Sequence, residues 1–266
     1  MAYEWIKLGV EDHVGILTLS RIEGMNALSL AFATEITEAV RELDAMEEVR
    51  VIVLNSGARE FCVGLDLKDF MTTDLGSAKS KLEFPARLRS LFDSANSFED
   101  CKKPFIAAVH GMCIGGGLDM IAACDIRLCT EDAKFSLREA AIGIVADMGV
   151  LQRLPYSIGQ GFTREMAFTA RFFTAREVKR MGLVNTIYPD YDTMIKGVNK
   201  IARQIAENPP LAVQATKEVL NYSRTSTVAN GMSYAMHKNM VLFNSEDVME
   251  ALSSFMEKRK PDFKGR

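Results

Sequence analysis

The chain is poor in the residues that hold metals or cross-link small secreted folds. It has three histidines, His13, His110 and His237, with no zinc-like spacing, so no metal site is expected. Its five cysteines, Cys62, Cys101, Cys113, Cys124 and Cys129, are odd in number and form no C-x-x-C pair. Most lie in apolar runs, where a free thiol packs as a small hydrophobe; they read as reduced cysteines of an intracellular protein. There is no apolar run of about 18 residues, so no membrane span is expected. There is no excess of positive charge either: the net charge of −3 argues against a nucleic-acid partner. The first residues lack the basic and apolar regions of a secretion signal, and Lys264-Gly265-Arg266 is not a peroxisomal address of the S-K-L type. A cytoplasmic location is the expectation. A dinucleotide fingerprint is missing too, because Met120 stands where its third glycine belongs, and no G-x-x-x-x-G-K-[ST] loop exists.

What is present is ordinary globular composition, 48% hydrophobic and 25% charged over 266 residues, enough for one large domain or a domain with an appendage. Strands are predicted over Val14–Ser20, Val49–Leu54 and Phe105–Val109, and short ones over Ile126–Cys129 and Lys134–Leu137. The runs at Val49 and Phe105 are almost continuously apolar, as strands covered on both faces are. Ile36, Val40 and Leu43 have helical spacing. Alternation of the two kinds of element predicts an α/β fold. Thr174 and Glu177 have capping-box spacing, Gly182 is placed to end that helix, and a strand is expected at Val184–Tyr188. Ile195, Val198, Ile201 and Ile205 mark another helical face. Asn208-Pro209-Pro210 breaks that helix, and one of the prolines opens the next. A boundary is drawn after residue 200, between an α/β core (1–200) and a helical tail (201–266). The tail has apolar faces but few residues of its own, so it packs on the core or on another subunit. Met232, Met236 and Met240, at helical spacing, fit either role.

The chemistry concentrates between His110 and Leu154. Gly115-Gly116-Gly117 follows an apolar strand and precedes a helix-like run, where free N–H groups and the helix dipole favour negative charge. Tight strand–helix packing explains the glycines equally well. Gly64, in Phe61–Asp66, also follows a buried strand and would let the Leu65 N–H point at a ligand, though an ordinary glycine loop has the same sequence. Three acids follow: Asp119, Glu139 and Asp147. Carboxyls among apolar neighbours have raised pKa values, which suits proton transfer. Each alone also fits a cap, a solvated helix position or a turn. On one straight helix Glu139 and Asp147 would lie about 12 Å apart, but Gly143 and Gly149 permit a bend that turns both toward one cavity. His110 has no nucleophile elbow to serve and reads as a packed histidine, and Asp125 as a structural acid.

Taken in order, Met25–Ala27, Phe61–Asp66, His110–Cys129 and Phe255–Pro261 resemble the crotonase superfamily, also called the enoyl-CoA hydratase/isomerase family. The resemblance covers nearly the whole chain. It implies a spiral of ββα units with a C-terminal helical region that builds trimers or hexamers, an acyl-CoA thioester substrate, and no cofactor beyond the CoA of that substrate. The family's two oxyanion-holding N–H groups match Leu65 and Gly116. Its CoA-contacting loop matches Val63, Gly64, Asp66 and Leu67; further CoA contacts match Asn26 and Ala27, and a phosphate contact matches Lys258. Hydratases of the family have acids at the places of Asp119 and Glu139, the first usually a glutamate, and a small residue at the place of Asp147. The dienoyl-CoA isomerase branch has acids at all three places, as this chain does. The resemblance therefore implies isomerisation of a 3,5-dienoyl-CoA to the 2,4-dienoyl product in fatty-acid β-oxidation. A 2-enoyl-CoA hydratase is the alternative, and an RNA-binding homologue is another, disfavoured by the acids between Glu35 and Glu48.

Overall fold

The computed structural model describes residues 3–71 and 77–266, Arg87 by its backbone alone. Strand β1 (Ile6–Glu11) pairs antiparallel with β2 (Val14–Leu19) through a tight turn in which Asp12 and His13 take φ of 48° and 65°. From β2 onward the pairing is parallel. β2 lies beside β3 (Val51–Ser56), then come β4 (Phe105–Val109), β6 (Ile126–Thr130) and β9 (Thr186–Tyr188), in the order β1-β2-β3-β4-β6-β9. A second sheet joins β5 (Met112–Ile114), β7 (Lys134–Ser136) and β8 (Phe173–Thr174). Parallel neighbours need long crossovers, and here each crossover is one turn of a spiral. The chain adds a strand to the large sheet, a strand to the small one, then a helix. β4, β5 and α4 (Gly116–Ala123) make one such turn; β6, β7 and α5 (Val150–Thr169) make the next. This is the ββα spiral expected.

Helix α1 (Leu30–Ala45) begins where the Ser29 hydroxyl accepts the Phe32 N–H, and it buries Phe32, Ile36, Val40 and Leu43 as its spacing predicts. With α3 (Ala78–Asp100), α4 and α5 it forms the larger apolar core. The opposite face of the large sheet is covered by α7 (Tyr191–Ala206), whose Met194, Val198 and Ala202 pack on Val51, Val53, Ile106, Ala108 and Leu128. Burial on both faces is why β3 and β4 read as unbroken apolar runs. α6 (Ala175–Met181) carries the capping box anticipated at Thr174 and Glu177 and ends at Gly182.

Three expectations need correction. The strand expected from Val49 starts at Val51, because the Val49 N–H closes the turn after α1 onto Met46 O at 3.2 Å. The buried face of α7 is centred on Met194, Val198, Ala202 and Ala206, with Ile195, Ile201 and Ile205 along its margin. The boundary after residue 200 falls inside α7, which packs as one unit on the sheet; the chain breaks at Asn208-Pro209 instead.

α8 (Pro210–Ser223), α9 (Val228–Leu242) and α10 (Glu246–Glu257) follow, α8 opening at Pro210. α8 is fastened to the core by Lys217. Its ammonium is 5% exposed, donates to Phe98 O (2.8 Å) and Lys103 O (3.1 Å), and lies 3.0 Å from Asp125 Oδ2. Asp125 also accepts the Phe105 N–H at 2.7 Å, the structural role its sequence setting indicates. Arg50 ties down the far end, donating to Ala206 O and Phe263 O.

Candidate active site

The site is built where the two sheets' strands end. Cys62 and Cys113 form an isolated parallel bridge: the Cys62 N–H donates to Met112 O (3.0 Å) and the Ile114 N–H to Cys62 O (2.9 Å). The segment after β3 therefore runs alongside β5, and the glycine turns that end them touch. A Cβ on Gly64 would stand 3.0 Å from Ile114 O, and one on Gly115 would stand 3.8 Å from the Gly64 Cα. Both glycines have positive φ, 91° and 50°, where a side chain is strained in any case.

The next N–H after each turn belongs to Leu65 and Gly116. The Leu65 segment is clamped on both sides, since the Leu28 N–H donates to Gly64 O (2.7 Å) and the Asp66 N–H to Leu28 O (2.9 Å). Among the described residues neither the Leu65 nor the Gly116 N–H has a backbone acceptor. Gly116 opens α4, where N–H groups have no partner within the helix. A Cβ on Gly116 would lie 2.6 Å from Leu28 Cδ1, so a larger residue there would displace the buried Leu28 side chain. A mostly apolar recess, lined by Leu28, Leu65, Phe70, Phe84 and Leu88 with Asp69 among them, opens beside Leu65.

Three carboxyls near this turn stand close enough to repel one another. Asp119, buried in the first turn of α4, accepts the Val150 N–H at 2.8 Å and so fixes the start of α5. Glu139 opens a 3-10 turn (Glu139–Ile142) and lies over Gly115; its Oε2 is buried without a partner. Asp147 sits in the loop before α5. Gly143, between Glu139 and Asp147, takes φ of 80° and Gly149, two residues after Asp147, φ of 105°, so the chain bends instead of carrying both acids along one helix.

Burial and mutual repulsion set the protonation of this group. Burial pushes Asp119 up to about 8; the charges of Glu139 and Asp147 push the same way, against the Val150 N–H and Arg153. Burial also raises Glu139, and the charge of Asp147 adds to it. Asp147 is raised by burial in turn. Carboxyls that disfavour one another's ionisation hold their protons to higher pH than free ones do, which suits proton exchange with a substrate.

The other anticipated residues have mixed placements. Val63 and Gly64 belong to the clamped turn. Asp66 is engaged: Oδ2 receives Arg21 Nη2 at 2.7 Å, and Oδ1 accepts the Lys68 N–H at 3.1 Å at the start of α2 (Leu67–Met71), which holds its carboxyl below the usual range despite partial burial. Leu67 is half exposed beside it. Asn26 is fully buried, donates to Ser56 Oγ (2.8 Å) and Phe61 O (2.9 Å), and accepts the Arg21 N–H (2.9 Å). Its side chain shapes the turn, which leaves the partly exposed Ala27 as the residue facing outward from it. Lys258 ends α10 at φ 53° and, among the described residues, makes no hydrogen bond or ion pair with any residue of the site. His110 is packed as expected, its Nε2 2.9 Å from Ala58 O and its ring edge-on to Tyr191. Arg21 and Arg153 were not legible as site residues, for nothing in their spacing connects them to Asp66 or to the Asp147 loop. Among the described residues no cluster of histidine, cysteine or acid is arranged to hold a metal, and no helix is long and apolar enough to cross a membrane.

A ββα spiral that sets two unpartnered amides beside raised carboxyls defines a class of enzyme that handles a developing oxyanion and moves protons. The chain belongs to the enoyl-CoA hydratase/isomerase family, whose sequence pattern matches residues 9–266. It is 40% identical over 266 residues to the peroxisomal Delta(3,5)-Delta(2,4)-dienoyl-CoA isomerase of Arabidopsis thaliana, covering 98% of this chain and 96% of that one. It is 35% identical to the mitochondrial enzyme of that name from Homo sapiens, over 97% of this chain and 81% of that one. Those names carry peroxisomal and mitochondrial locations, so the cytoplasmic expectation finds no support in them. Among solved structures, an enoyl-CoA hydratase from Bacillus anthracis superposes with a TM-score of 0.92 at 29% identity, covering 99% of this chain and 100% of that one.

Proposed function

We propose that the protein isomerises a 3,5-dienoyl-CoA to the 2,4-dienoyl-CoA. The observation that carries this reading is the third acid: Asp147 joins Asp119 and Glu139 in one electrostatically coupled group beside the two free amides. Relatives named for this reaction, similar along nearly the whole chain, support it.

The thioester oxygen sits between the Leu65 and Gly116 N–H groups. Glu139, as carboxylate, takes a proton from C2; the electron pair moves into the thioester and the oxygen becomes anionic, held by the two amides. The dienolate then collects a proton at C6 from Asp147. The double bonds shift from C3=C4 and C5=C6 to C2=C3 and C4=C5. Glu139 ends protonated and Asp147 ionised, and exchange of one proton with solvent resets both. C2 and C6 are several bonds apart, so one carboxyl cannot serve both ends, which is the chemical reason for a third acid. Asp119, largely protonated at neutral pH, keeps the local negative charge low and anchors α5 three residues after Asp147. Val63, Gly64, Asp66, Leu67 and Ala27 border the CoA moiety. No cofactor beyond the substrate's own CoA takes part.

The tail supplies the assembly. Met232, Met236 and Met240 of α9 and Phe255 and Met256 of α10 are each more than half exposed, an apolar face wide enough for a second copy to cover in a trimer or a pair of trimers. Lys258 then meets a CoA phosphate in the assembly and not within its own chain.

The test is an ultraviolet assay of the purified protein with a 3,5-dienoyl-CoA. Appearance of the extended 2,4-dienoyl chromophore is expected. Its absence, together with hydration of a 2-enoyl-CoA in parallel, would make the protein a hydratase and Asp147 a structural residue.

A further inference from the structure

Arg153 lies one turn into α5, and its guanidinium is nearly buried, 11% exposed. Each of its three nitrogens has an acceptor in the protein. Nε donates to Glu99 Oε2 at 2.5 Å, Nη2 to Asn96 Oδ1 at 2.7 Å, and Nη1 to Met148 O at 3.2 Å. The last acceptor is the carbonyl of the residue directly after Asp147. At Gly149, φ 105°, a Cβ would fall on Nη1 itself, so the Nη1 end of the guanidinium is pressed against the backbone just after Asp147. Glu99, in α3, is shared: its other oxygen pairs with Arg224, at the C-terminal cap of α8. The chain of charges thus runs from the tail through α3 to the Asp147 loop. It lines a groove of about 1010 Å³ with Asp147 at its edge. Glu139 is held differently, by its 3-10 turn over Gly115.

We infer that Arg153 is a positioning residue for Asp147, and that the chain Arg224–Glu99–Arg153 sets where the second proton is delivered while leaving the first transfer, at Glu139, untouched. The inference rests on the three-acid isomerase reading. Each of its three nitrogens is already engaged by the protein, and its link to the acid is the Met148 carbonyl, so it acts through the loop. A planar fork that grips Glu99, Asn96 and a carbonyl at once is not replaced by lysine, whose ammonium is a point charge.

The experiment follows the two proton transfers separately. Wild type, Arg153→Lys, Arg153→Met and Arg224→Met are incubated with a 3,5-dienoyl-CoA in D2O; deuterium entering C2 is read by mass spectrometry and the 2,4-dienoyl product by absorbance. Arg153→Met is expected to lower kcat for isomerisation about 100-fold, the cost of misplacing a reacting group by about an ångström, with KM nearly unchanged and C2 exchange close to wild type. Arg153→Lys should recover only part of the loss. Arg224→Met, acting from the partly exposed end of the chain, should show the same separation in milder form and carries the test if Arg153→Met does not fold. Equal loss of C2 exchange and isomerisation in folded variants would overturn the inference, as would wild-type isomerisation in all of them. A wild type that forms no 2,4-dienoyl product would overturn the isomerase reading along with it.

Discussion

A Cβ placed on Gly115 would stand 2.9 Å from Glu139 Oε1. The carboxyl proposed to take the C2 proton is therefore seated directly on the turn that presents the Gly116 N–H. Base and oxyanion donor are adjacent across this turn, so a shift of the Gly115 backbone disturbs both.

Gly115→Ala tests that coupling. The methyl meets a carboxylate at close range and sits at φ 50°, so the turn must shift. The expected result is a fall in kcat of about 100-fold or more, comparable to loss of an oxyanion donor, with acyl-CoA binding weakened much less. Steady-state kinetics beside calorimetric titration of a non-isomerisable acyl-CoA would measure both. Unchanged kcat would mean Glu139 does not act from this position.

Asp147→Asn keeps the shape of the loop and removes the proton. Isomerisation should fall by a factor of about 100 to 10,000, while acyl-CoA binding persists. Exchange of C2 hydrogen for deuterium should survive. An Asn variant that turns over like wild type would sink the assignment of the C6 proton.

Asp119 makes stability depend on pH in an unusual direction. Its folded value is pushed up to about 8, chiefly by burial. An exposed aspartate titrates near about 4, so between about pH 4 and 8 the folded chain holds a proton that the unfolded chain has released. That contribution is fully present below the unfolded value and is lost as pH rises through the folded one. Asp119→Asn, which can still accept the Val150 N–H, should therefore gain in melting temperature relative to wild type as pH is raised from about 5 to about 9. A constant difference across that range would show that Asp119 is ionised in the folded protein.

Lys217→Met removes the clamp between α8 and the core. Two buried carbonyls and Asp125 lose their shared cation. Breaking a buried pair by removing one partner costs about 3 kcal/mol or more, visible as a lower urea midpoint. Lys217→Met together with Asp125→Asn should recover part of that loss. No change on the single substitution would mean the tail is held by its apolar contacts alone.

The sequence was most legible where local chemistry decides the structure. Phe105–Val109 begins and ends as its apolar run does, and Thr174 and Glu177 form their capping box because both partners lie within four residues. β1 was missed because it is an edge strand with one fully buried residue, Ile6, and so has little pattern to read. The long α3 was missed too: its sequence is polar on average, includes Pro85, and buries only a few residues such as Leu91, Ala95 and Phe98. For the site, the acids and glycines were visible one by one. What joins them was not: the pairing of Cys62 with Cys113, the seat of Glu139 over Gly115, and the grip of Arg153 on Met148 O all link residues far apart in sequence or facing one another only after the chain bends. Asn26 shows the converse, a residue matched to a binding role whose side chain is wholly occupied in holding its own turn.

All five cysteines are buried, and burial pushes Cys62, Cys101, Cys124 and Cys129 up to about 12 and Cys113 well above the usual thiol range. Thiolates, not thiols, react with maleimides and iodoacetamides. Buried, protonated thiols react slowly, so the native protein is expected to take up little thiol-directed dye at neutral pH. A cysteine introduced on the outer face of α9 would be the single point of attachment, and the association of subunits could be followed by fluorescence without first stripping the chain of its own sulfur.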